Sequence, residues 1–140
     1  MTVRSLALAG AFVVAASFGA HAATVKYHAT LTAASEVPPT KSTGTGEATA
    51  TLDTATHELT VDVTFSGFAS DVTAAHIHGP APAGKNAGVV VPLGNAPKSP
   101  IHVTAKLTEA QQKELESGML YVNVHTKNDP SGAIRGQLTK

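Results

Sequence analysis

Two histidines, His76 and His78, flank a single isoleucine in Ala74-Ala75-His76-Ile77-His78-Gly79-Pro80, and a third, His125, follows Tyr121-Val122-Asn123-Val124. Imidazole is the commonest metal-binding side chain and the one that titrates near neutrality. Successive side chains of a β-strand point to opposite faces, so His76 and His78 share one face while Ala75 and Ile77 take the other. Their Cα atoms then stand about 7 Å apart, and both rings can lean onto one ion. The same period of two puts Tyr121, Asn123 and His125 on one face, with Val122 and Val124 behind them. If the two strands are neighbours in the correct register, three imidazoles converge.

The chain has no cysteine, which leaves imidazole, carboxylate and Met as ligand types. Copper is expected ahead of zinc, because copper(II) binds more tightly at a given nitrogen site. A fourth ligand would come from His28, His57, His102 or water, and no spacing selects among them. The alternative is structural: the histidines bond backbone groups around the loop that follows His78. Asn123 is a candidate to steady a ligand histidine by a hydrogen bond, or else it satisfies backbone groups at a strand end. Tyr121 lines either the site or the core. Glu36 is either a partner for Arg135 or a solvated loop carboxylate. Arg135 is the one arginine after Arg4, which points to a planar partner that Lys would not match.

The elements that must carry these groups are mostly strands. Val25 to Leu31 alternates apolar and polar residues, and Ser35-Glu36-Val37-Pro38-Pro39 stops it, because proline cannot donate a ladder hydrogen bond. Glu47 to Leu52 is Thr-rich and favours strand. Asp53-Thr54-Ala55-Thr56 reads as a turn, and Leu59, Val61, Val63 and Phe65 alternate with Thr60, Asp62 and Thr64 beyond it. The His76 strand follows, then a Gly- and Pro-rich loop from Gly79 to Gly88. Short strands are expected at Val89 to Leu93 and Ile101 to Leu107, with His28 and His102 on wet faces. One helix is expected after Thr108, whose side chain and Gln111 form a capping box; Ala110 and Leu115 give it an apolar side and Gly118 the stop. Strands at Met119 to His125 and Ala133 to Leu138 close the chain around a Lys127 to Gly132 turn. Seven or eight strands with one short helix predict an all-β fold, an antiparallel β-sandwich.

Composition narrows the partners. Arg4, the uncharged run from Leu6 to Phe18 and Ala20-His21-Ala22 have the layout of a secretory signal cleaved near Ala22. The expected organisation is therefore a signal at residues 1–22 and one domain at 23–140, exported to the periplasm or the medium, with no membrane span in the mature chain. Without Arg4, nine Lys and Arg remain of the ten, against ten Asp and Glu. That balance argues against nucleic acid or an anionic membrane, both of which demand clustered positive charge. A domain of this length buries roughly 65% of the surface of its unfolded chain, so an apolar core or a metal must supply what disulfides do not. There is no G-x-S-x-G elbow, phosphate-binding loop or H-E-x-x-H helix.

Glu36-Val37-Pro38-Pro39, Ala74 to Pro80, Tyr121 to Thr126 and Ile134-Arg135-Gly136-Gln137-Leu138 occur in the order seen in the CHRD domain, the module named after chordin and common in bacterial exported proteins. The resemblance covers nearly all of the mature chain and implies a β-sandwich. One departure is Ala133, where the family pattern usually has Glu, so no role of that carboxylate carries over. A looser likeness is to copper/zinc superoxide dismutase, an Ig-like sandwich in which a His-x-His strand and a distant His bind copper; His76, His78 and His125 echo that order.

The reading expected from these features is an exported binding module that holds copper through His76, His78 and His125. Its first alternative is a noncatalytic structural or extracytoplasmic protein-binding module without metal. The second is a copper redox enzyme similar to superoxide dismutase, although no catalytic residue is assigned.

Overall fold

Alternation of apolar and polar residues sets the strands, and each pairs antiparallel with its neighbour. In a computed structural model that describes residues 22–140, the strands are β1 (Thr24–Leu31), β2 (Thr45–Asp53), β3 (Glu58–Ser66), β4 (Val72–His78), β5 (Val89–Asn95), β6 (Ile101–Lys106), β7 (Tyr121–Thr126) and β8 (Ile134–Gln137). They form two four-stranded sheets, ordered β1-β2-β3-β6 and β5-β4-β7-β8. All but the last residue of the signal expected at 1–22 lies outside the described residues. No helix among the described residues is long and apolar enough to cross a membrane.

Leu31, Leu52, Leu59, Val61 and Val63 of the first sheet meet Ala75, Ile77, Val122, Val124 and Ile134 of the second, and all are fully buried. This is the all-β antiparallel sandwich that the alternation predicts, since each sheet must bury its apolar face against the other. The sandwich is stitched along one side, where His28 bridges Thr139 and Thr32 bridges Arg135 between β1 and the end of the chain.

Among the described residues the one α-helix, α1 (Glu109–Glu116), lies between β6 and β7. Thr108 and Gln111 form the expected capping box, and Gly118, at φ 71, ends the helix. Its apolar side is narrower than expected: Leu115 enters the core, whereas Ala110 is exposed. A short 3-10 turn at Ala33–Ser35, capped by the Thr32 hydroxyl, was not evident from the sequence. It turns the chain from β1 toward Glu36.

Candidate metal centre

Strand β4 lies between β5 and β7, and its register against β7 brings the histidines together. Ala74 pairs with His125, His76 with Asn123 and His78 with Tyr121. Because Ala75, Ile77, Val122 and Val124 fill the core, pleating turns His76, His78, Tyr121, Asn123 and His125 to the other face of the sheet. The three imidazoles therefore gather on one face, each offering a nitrogen within 4.8 Å of the other two.

Hydrogen bonds fix which nitrogen each ring presents. His125 Nδ1 stands 3.0 Å from the Pro130 carbonyl and His78 Nδ1 stands 3.0 Å from the Ala87 carbonyl. A carbonyl only accepts, so each Nδ1 carries a proton, and in the neutral ring Nε2 carries the free lone pair. His76 Nδ1 lies 3.0 Å from His125 Nε2, donating to it in the absence of an ion. That separation is shorter than two metal–nitrogen bonds of about 2.0–2.1 Å placed end to end, so one ion can reach both atoms. His78 Nε2 is buried and has no hydrogen-bond partner. An orphaned imidazole lone pair costs free energy unless something binds it.

The electrostatics favour neutral rings. Burial is the largest cause lowering the pKa of all three histidines. For His76 the other two rings lower it further; for His78 the Arg135 charge does so, against the opposing Ala87 bond. His125 is lowered further by His78 and raised by its bond to Pro130. A neutral imidazole is the form that ligates metal.

Tyr121 stacks on His78, with ring centroids 5.2 Å apart and planes 9° apart. Its hydroxyl accepts from the Ala87 N–H at 3.0 Å. Arg135 is 2% exposed, and its guanidinium carbon lies 3.4 Å from the centre of the Tyr121 ring. The guanidinium donates to Lys85 O, Pro82 O and Asn86 Oδ1, strapping the Gly79 to Gly88 loop across the site. Its planar partners are thus an aromatic ring and loop carbonyls.

One expected supporting contact differs. Glu36 forms no ion pair with Arg135 among the described residues; its carboxylate accepts from Asn123 Nδ2. Of the two roles open to Asn123, it takes the backbone one, bonding the Ile134 carbonyl as well as Glu36 rather than a histidine. The cause is the bend after β1, which delivers Glu36 beside Asn123 while β8 carries Arg135 toward the loop. Burial is the largest cause raising the Glu36 pKa, to about 7, against the lowering bond from Asn123. Ala133 is fully buried, and its carbonyl accepts from the Thr40 hydroxyl at 2.8 Å.

None of the histidines weighed as a fourth ligand joins the cluster. His28 pairs with Glu47 and His102 with Asp62 on the first sheet, while His57 bonds Gln112 on the helix. The parts the sequence did not single out are the carbonyls of Pro130 and Ala87, which orient two rings. Side-chain patterns carry no signal for such backbone acceptors.

The family model for the CHRD domain matches residues 27–138. No curated protein and no solved structure matches the chain.

Proposed function

The chain belongs to the CHRD-domain family, and from that premise we propose that it is an exported module that holds a copper ion through His76 Nδ1, His78 Nε2 and His125 Nε2. The observation that carries this reading is the buried, unpartnered Nε2 of His78, on a ring that offers a nitrogen within 4.8 Å of nitrogens of the other two. Bound copper would supply an electron-accepting centre for three neutral nitrogen donors. The chain's own part is to hold the lone pairs in place: the Pro130 and Ala87 carbonyls accept hydrogen bonds from the Nδ1–H groups of His125 and His78, so each ring keeps its tautomer. His76 must move its proton to Nε2 for Nδ1 to ligate. The signal-like layout of residues 1–22 supports export to the periplasm or the medium.

Equilibrium dialysis of the purified protein with copper tests the reading. Wild type binds one equivalent at this centre, and His78→Ala loses it. Equal stoichiometry in the two proteins eliminates the site.

A second reading draws on the same bonds. His78 and His125 each fasten a loop carbonyl to the sheet, which is also what a scaffold histidine does in a noncatalytic protein-binding module. In that case neither copper nor a chelator changes the melting temperature.

A further inference from the structure

The guanidinium of Arg135 stands one aromatic ring away from the centre, and no carboxylate among the described residues is in contact with it. Its direct partners are the Asn86 side-chain oxygen, the carbonyls of Lys85 and Pro82 and the face of Tyr121. No carboxylate forms an ion pair with it among the described residues, and it is 2% exposed. We propose that this buried positive charge makes the three-histidine centre a site for a monovalent ion, copper(I), in preference to copper(II) and zinc(II). The inference rests on the metal reading above and specifies which ion that site takes.

The strand order supplies the geometry. Tyr121 of β7 pairs with His78 of β4 on one side, and β8, which carries Arg135, lies on the other. The Tyr121 ring is stacked 5.2 Å from the His78 ring and lies 3.4 Å from the guanidinium carbon. Across so short a path in a partly buried setting, charges interact more strongly than in bulk water. A fixed positive charge repels a divalent ion with twice the energy with which it repels a monovalent one. The ligands do not offset that repulsion, because the cluster consists of imidazoles and includes no carboxylate. Glu36, a buried acid near this face, is bonded to Asn123 and feels the Arg135 charge without contacting it; burial outweighs both and disfavours its ionised form.

Coordination number acts in the same direction. Three nitrogens satisfy a filled-shell copper(I) ion, which accepts trigonal coordination. Zinc is almost always four-coordinate at structural sites, and copper(II) prefers four or more donors in a tetragonal set. His28, His57 and His102 are engaged elsewhere, so among the described residues no fourth imidazole joins the centre.

The test is competition titration of the purified protein, with copper(I) under anaerobic conditions and with copper(II) and zinc(II), each against a chromophoric chelator of known affinity. Wild type is expected to hold copper(I) at least tenfold more tightly than either divalent ion. Arg135→Gln should reduce the copper(I)-over-copper(II) preference about tenfold, equivalent to a fall of about 59 mV in the one-electron midpoint potential. Arg135→Lys should retain most of it. Since Arg135 also straps a loop, Asn86→Asp is the second variant: Asn86 is exposed and accepts from Arg135 Nη1 at 3.0 Å, so a carboxylate there neutralises the cation from the loop side. It should lower the preference severalfold.

Divalent binding as tight as copper(I) in wild type overturns the inference, and so does an unchanged preference in Asn86→Asp. Either result leaves the metal site itself standing. Failure of every ion to bind wild type removes the metal reading and this inference together.

Discussion

Tyr121 lies face to face with His78, and its hydroxyl meets the same residue, Ala87, whose carbonyl accepts from His78 Nδ1–H. One strand tyrosine thus holds the ring and the loop that orients it. Tyr121→Phe keeps the stack and the Arg135 contact but removes the hydroxyl that accepts from Ala87. The expected loss is about 1 kcal/mol in urea unfolding. Copper affinity should fall by no more than about tenfold, because the bond from His78 to Ala87 survives.

Copper should stabilise the fold, since a complete set of three nitrogens exists only in the folded chain. At a free ion concentration one hundred times Kd the gain is about 2.7 kcal/mol. Thermal unfolding with and without copper should show the gain in wild type, in His28→Ala and in His102→Ala. His125→Ala should abolish it, and a chelator should reverse it in wild type. With all three ring pKa values depressed, binding should persist at pH 6.5, the ordinary histidine value.

Glu36 sets a pH dependence of its own. Its folded pKa is raised from 4.5 to about 7, with burial the largest cause. Between those values the folded chain holds the proton more tightly than the unfolded one. The contribution is therefore complete below about pH 4.5 and is lost as pH rises through about 7. Glu36→Gln keeps an acceptor for Asn123 Nδ2 and removes the titration. Relative to wild type it should be near neutral at pH 4 and more stable at pH 8, by at most on the order of 3 kcal/mol. Urea unfolding at the two pH values checks this; a wild-type-minus-variant difference that does not change with pH contradicts it.

Gly132 is the residue without which Glu36 and Asn123 cannot meet. It has φ 137, and a Cβ there would stand 2.7 Å from both Glu36 Oε1 and Asn123 Nδ2. Gly132→Ala should cost about 3 kcal/mol through backbone strain and displacement of the pair. Differential scanning calorimetry measures the loss.

The sandwich was legible because its strands announce themselves through period-two alternation, clearest at Leu59 to Phe65, and because Thr108, Gln111 and Gly118 mark the helix ends. The histidine face was legible for the same reason. His76 and His78 must share a side, and so must Tyr121 and His125. What alternation could not give was the contact between Glu36 and Asn123, which depends on a short 3-10 turn after β1. Nor could it give the bonds to Pro130 and Ala87, because backbone carbonyls are present at every position. The partners of Arg135 were hidden in the same way: two of them are carbonyls of a loop whose path the sequence leaves open.

The bridges from His28 to Thr139 and from Thr32 to Arg135 leave the molecule lopsided with respect to self-association. Where β1 and the chain end are fastened, the bonds at His28 and Thr32 interrupt the row of amides that another chain would need. The free margins are β5 and β6, each hydrogen-bonded to one strand partner. Pro92 lies within β5 and Pro100 immediately precedes β6, and proline lacks the amide that an incoming strand would need. Strand addition by another chain is thus interrupted on both flanks, by cross-bridges on one and by prolines on the other.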